Sequence, residues 1–96
     1  MYQIELEKIP NQSFTTNIND NLYDIELRYN GEITLFTLKV NNKEICKNII
    51  VFPNQYILPY KWQEQEAKGN FIFINGNDEY PFFSNFDNNL FYFIEK

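Results

Sequence analysis

The chain has 96 residues, 44% of them hydrophobic and 22% charged. These proportions argue against disorder and against a membrane protein, and fit one domain over residues 1–96 rather than two. There is no His, which removes the commonest general base and metal ligand, and the single Cys46 rules out an internal disulfide or a thiolate zinc cluster, so no cofactor is expected. Thirteen acidic residues against eight basic ones leave a net charge of −5, which disfavours binding to a phosphate backbone; no nucleic-acid partner is expected.

In chain order, Gln3 to Ile9 and Ser13 to Ile18 read as two short strands broken at Pro10-Asn11. The polar run Asn17, Asn19, Asp20, Asn21 superficially resembles a calcium loop, yet it lacks the turn glycine and the closing bidentate Glu, so it is read as a hairpin turn. Tyr23 to Tyr29 alternates strictly, with Tyr23, Ile25, Leu27 and Tyr29 on one side and Asp24, Glu26 and Arg28 on the other, the pattern of a strand with one wet face. Asn30-Gly31 predicts a two-residue hairpin, because both central positions must accept positive φ. Ile33 to Val40 returns, Asn41-Asn42 reverses the chain again, and Lys43 to Phe52 completes a three-strand antiparallel meander.

Pro53 to Gln65 lacks alternation and reads as a loop packed through Tyr56, Leu58, Tyr60 and Trp62. Gln63 to Lys68 has the length of one helical turn, stopped by Gly69. Asn70 to Ile74 and Leu90 to Ile94 are the last two strands; Asn75-Gly76-Asn77-Asp78 is a turn, and Pro81 to Asn89 an ordered crossing segment. About seven strands therefore predict an all-β fold, a small antiparallel β-barrel or sandwich.

Three strands break the one-wet-face rule. Ile49 to Phe52, Phe71 to Ile74 and Leu90 to Ile94 are apolar on both sides, and both sides must be covered. Two explanations stand: the chain closes into a compact barrel with its own loops over the second face, Trp62, Phe82, Phe83 and Phe86 serving as lids, or another protein chain buries it. Neighbouring acids such as Asp24 and Glu26 have the spacing of a glycosidase pair, but read as a solvated strand face balanced by Arg28 and nearby Lys. Alternating Tyr and Phe suggest a base-stacking platform, but Lys39, Lys43 and Lys47 supply only a weak basic groove, and core packing is the reading preferred. Residues Met1 to Pro10 lack the pattern of a signal peptide, and no run reaches the ~20 apolar residues of a membrane span, so synthesis in a cytosol and no membrane partner are expected. The residues alone point to an acidic β domain without catalytic machinery, suited to be one part of an assembly.

Several pieces, in order, resemble a family of small phage tail proteins. They are Ile9-Pro10-Asn11-Gln12 with Phe14, then Tyr23-Asp24-Ile25-Glu26-Leu27-Arg28, then Val40-Asn41-Asn42 with Ile45. Tyr60 precedes Gly69-Asn70-Phe71-Ile72-Phe73, and Asp78-Glu79-Tyr80-Pro81 and Leu90-Phe91-Tyr92 close the series. Each piece alone is generic strand and turn vocabulary; their collinearity over almost the whole chain is similar to the cyanophage baseplate plug-like proteins of contractile-tailed phages and prophages. The chain departs from that pattern at Lys47-Asn48, where members often carry a Gly-containing pair, and near Asn85-Phe86-Asp87.

The resemblance implies a non-enzymatic subunit of the virion tail, made in the host cytoplasm. It would sit at the axial hub of the baseplate and close the tail tube before ejection, with hub and tail-tube proteins as partners and a homo-oligomer as an open alternative. It carries no catalytic residues. On this view Asn11, Gln12 and Phe14 orient the N-terminal strand, while Asp78 and Pro81 shape a contact loop. The alternatives are a small acidic phage inhibitor that mimics DNA and blocks a host nuclease, for which the acids are too mixed with Lys, and a two-carboxylate cell-wall hydrolase.

Overall fold

The computed structural model describes residues 1–96. Seven strands form two antiparallel sheets that do not close into a barrel, so of the two predicted architectures the sandwich is the one found. The large sheet contains β2 (Asn11–Ile18), β3 (Asn21–Tyr29), β4 (Thr34–Val40) and β5 (Lys43–Ile50) in sequential order. The small sheet has the order β1-β7-β6, with β1 at Tyr2–Ile4, β6 at Gly69–Ile74 and β7 at Leu90–Glu95. One helix, α1 (Lys61–Ala67), packs against both β5 and β6 and bridges that side of the sandwich.

The meander follows from its turns. Asn19-Asp20 and Asn41-Asn42 both occupy the left-handed region, at φ 51° and 65° and at 50° and 69°, which makes the two-residue reversals between β2 and β3 and between β4 and β5. The turn after β3 departs from expectation. Its central pair is Gly31-Glu32, one residue later than Asn30-Gly31, and only Gly31 has a positive φ. The cause is the Asn30 side chain, whose Oδ1 accepts from the N–H groups of Glu32 and Ile33, each at 3.0 Å, and so replaces a main-chain acceptor.

The alternation of β3 buries Tyr23, Ile25 and Leu27 and turns Asp24, Glu26 and Arg28 outward. β5 breaks its own alternation twice. Register shifts opposite Thr37 and between Leu38 and Lys39 are bulges, and they let the adjacent residues Ile45 and Cys46 both face inward. One bulge falls at Lys47-Asn48. Asn48 there takes φ 54°, a conformation natural to glycine, with its N–H on Thr37 Oγ1 at 3.0 Å. Asn85 to Asp87, the other departure, needs no left-handed residue; Phe83–Asn85 is a single 3-10 turn within the crossing segment.

A core of 19 buried apolar residues lies between the sheets. Its centre is aromatic: Phe71 packs against Phe36, Phe91 and Phe93 at ring-centroid distances of 5.2, 5.7 and 5.1 Å, and Tyr23 meets Phe93 at 5.1 Å. Tyr23 still satisfies its hydroxyl, which donates to the carbonyl of Ala67 at 2.7 Å and so ties β3 to the end of α1. Gln63 ties the other part of the helix to β5, donating to the Ile45 carbonyl at 3.1 Å while its Oε1 accepts from the N–H of Tyr60. Lys68 ends the helix in the left-handed region at φ 60°, one residue before Gly69.

The first strand is shorter than predicted, because Glu5 to Pro10 crosses from the small sheet to the large one. The loop after β5 also differs: Tyr56, Tyr60 and Trp62 point outward, and the loop packs through Ile57 and Leu58. Asn70 explains this. Fully buried, it clamps the main chain of Leu58, accepting from its N–H and donating to its carbonyl, each at 2.9 Å.

Candidate functional site

The two sheets present very different outer faces. On the large sheet, Ser13, Thr15, Asp24, Glu26, Thr37, Lys39, Glu44 and Lys47 line an open, shallow concavity of about 440 Å³. Asp24 and Glu26 share this face as their spacing requires, but Asp24 accepts from Thr15 Oγ1 at 2.6 Å and both carboxylates face solvent among Lys side chains. No group of His, Cys, Asp and Glu converges as a metal site would require. The thiol of Cys46 is buried in the core side of β5. Burial pushes it up to about 12; a main-chain hydrogen bond from Leu38 opposes the shift and Glu44 adds to it, so the thiol stays protonated.

The outer face of the small sheet is apolar. Strand alternation places Leu90, Tyr92 and Ile94 of β7 beside Ile72 and Ile74 of β6, while Phe71, Phe73, Phe91 and Phe93 fill the core behind them. Ile74 and Leu90 are 38% and 36% exposed. The expected lids do not cover this face. Trp62 is 51% exposed on α1, Phe86 is buried in the core against Phe73 at 5.7 Å, and Phe82 and Phe83 pack edge-on to Tyr29. Tyr56, Phe52 and Tyr80 extend the exposed apolar surface around β6; Phe52 and Tyr80 stack edge-to-face at 5.8 Å, and Lys96 sits 4.2 Å over the Tyr56 ring. The sequence pattern puts Phe52 in a two-faced strand and Tyr56 among the packed loop residues and gives Tyr80 no surface role, whereas the fold leaves all three exposed.

Asn11, Gln12 and Phe14 stand at the start of β2. Gln12 uses both ends of its amide on one residue: Nε2 donates to the Glu7 carbonyl at 2.7 Å and Oε1 accepts from the Glu7 N–H at 3.2 Å. The segment leaving β1 is thereby held against β2. Asn11 Oδ1 accepts from the N–H of Tyr29 at 3.2 Å, and Phe14 packs half-buried against the core. Asp78 and Pro81 lie in the connection from β6 to β7. Asp78 takes φ 53° and accepts from Asn54 Nδ2 at 2.7 Å, whereas Pro81 is buried, its carbonyl accepting from Thr34 Oγ1 at 2.6 Å. No direct contact joins the two groups; what links them is Tyr29, bonded to Asn11 and packed against Phe82, and the pair Lys8–Asp87 at 3.3 Å, which holds the Asp87 carboxyl below the usual carboxylate range.

No helix is long and apolar enough to cross a membrane. No curated protein matches the chain. The family model of the cyanophage baseplate Pam3 plug gp18 matches residues 1–96, the whole chain. With that match over the whole chain, the chain belongs to the cyanophage baseplate Pam3 plug gp18 family and is a structural component of a phage baseplate.

Proposed function

We propose that this chain is the plug itself, a non-enzymatic subunit at the axial hub that closes the end of the tail tube until ejection, in contact with hub and tail-tube proteins. The observation that carries the reading is the family match over residues 1–96. The apolar strip of Ile72, Ile74, Leu90, Tyr92 and Ile94 supports it, since such a strip on a small protein gains stability when a neighbour covers it. The net charge of −5 suits a subunit on the path of outgoing DNA, which it repels. Asn11, Gln12 and Phe14 serve to orient the N-terminal segment through the Gln12 clamp on Glu7, and Asp78 and Pro81 to shape the connection from β6 to β7.

The test is a structure of the assembled tail tip. Density for this chain on the tube axis, with the outer face of the small sheet against a neighbour, is the expected result. Its absence from the particle, or a position confined to the outer fibres, defeats the placement.

A further inference from the structure

Two sheets have four edges, and three of them are protected against pairing. β5 is interrupted by two bulges and carries Lys43, Glu44 and Lys47. β6 is covered by the preceding loop, whose Asn54 and Ile57 N–H groups bond the carbonyls of Phe73 and Phe71 at 2.9 and 2.8 Å. β1 is three residues long. Short strands, bulges, charges and covering loops are the usual ways of blunting an edge.

Although the crossing segment from Glu5 to Pro10 is bonded to it through the Gln12 side chain, β2 lacks such protection along its main chain. Its eight residues keep an unbroken register with β3, without bulge, Pro or charged side chain. At roughly 3.4 Å per residue this is about 27 Å of regular edge. The direction of its main-chain groups follows from the ladder: Tyr29 donates to the Pro10 carbonyl at 3.0 Å, so alternate residues from Pro10 onward, Gln12, Phe14, Thr16 and Ile18, bond to β3. The N–H and C=O groups of Asn11, Ser13, Thr15 and Asn17 therefore point away from the sheet, where no group of this chain meets them. Beside this edge runs a groove in two stretches of about 340 and 490 Å³, bounded by β1 and the crossing segment. It is pinned at its ends by Tyr2–Asn19 and Gln12–Glu7. Phe14 and Ile9 give it apolar floor, and its only charges are Glu5 and Glu7.

We infer that the free edge of β2 receives an extended segment of another baseplate protein, paired as an additional strand of the large sheet and carrying Lys or Arg toward Glu5 and Glu7. The inference rests on the baseplate placement. Main-chain pairing supplies the affinity and the flanking carboxylates the selection, as in other cases of strand addition. A second copy of this chain is the poorer occupant, because joining two β2 edges would bring the Glu5 and Glu7 rims together and set one charge of −5 against another.

The experiment combines a high-resolution map of the wild-type particle with two edge variants of the full chain. Thr15→Pro removes an outward N–H while sparing the bonds to β3, and Thr15→Lys places a charge on the edge without constraining the backbone. Both are expected to fall at least about tenfold in the amount recovered in purified particles, a loss of about 1.4 kcal/mol of binding or more. Far-ultraviolet circular dichroism and the urea midpoint establish which variants fold; if the proline variant does not, Thr15→Lys carries the comparison. The map is expected to show another protein's main chain bonded to Ser13 and Thr15, with a basic side chain within about 4 Å of Glu5 or Glu7. A folded variant incorporated at the wild-type level overturns the inference. So does a particle in which this edge faces solvent, faces a second copy's β2, or meets a segment with no basic residue. These results leave the baseplate placement standing, whereas particles without the wild-type chain overturn both.

Discussion

Asn70 carries more of the local structure than its size suggests. Its amide serves both main-chain groups of Leu58 and donates to Glu64 Oε2 at 2.7 Å, so one buried side chain holds the covering loop and the helix to β6. Asn70→Ala strands the buried Leu58 N–H and C=O, at about 1–3 kcal/mol for each group left unpaired. Urea unfolding is expected to show a loss of about 2–6 kcal/mol. Tyr23 gives a test in pH. Burial, and secondarily the charge of Glu95, raise its phenol above the ordinary value of 10.0. Above about pH 10 the unfolded chain therefore loses this proton first, binds fewer protons than the folded one, and stability falls as pH rises. Below that pH the contribution is present in full. Tyr23→Phe costs about 1–2 kcal/mol at neutral pH through the lost bond to Ala67, and its urea midpoint is expected to fall less steeply than the wild type's between pH 9 and about 11.

The elements show which information is local. β3 and the turns at Asn19-Asp20 and Asn41-Asn42 were legible because alternation and turn chemistry act over a few residues. The end of the first strand was not, since Glu5 to Pro10 is shaped by the distance between two sheets and by a Gln12 clamp that no pattern announces. The bulges of β5 were hidden for the same reason, although Asn48 leaves a trace: after glycine, Asn is among the residues that most readily take the left-handed backbone found there. The candidate surface was legible in part. Two-faced apolar strands pointed to a covered face, but which loops would cover it depended on Asn70 and on where α1 begins. Asn48→Val places a β-branched residue at φ 54° and is expected to cost about 1–2 kcal/mol by thermal or urea unfolding. Asn48→Gly, which relieves the backbone while losing only the Thr37 contact, should be clearly the more stable of the two.

In the molecule as a whole, the polar and apolar outer faces divide the work of folding and assembly. The large sheet is complete with water on its outer side, whereas the small sheet leaves Ile74 and Leu90 more than a third open. Changing both to Lys affects little of the core and is expected to alter stability by no more than about 1 kcal/mol. The same double variant should be lost from purified baseplates, measured by quantitative mass spectrometry of the particles. Incorporation at the wild-type level would show that this face is not the contact.

The pairing of β1 with β7 sets Tyr2 opposite Phe93 and Ile4 opposite Phe91. It brings together residues from opposite extremes of the sequence, whereas each step from β2 to β5 closes a short loop. Loop closure therefore orders the folding kinetics, with the meander as the early nucleus and the β1–β7 seam as the late event. Pulse-labelled hydrogen exchange should find β3 and β4 amides protected before those of β7; the reverse order would place the nucleus in the small sheet.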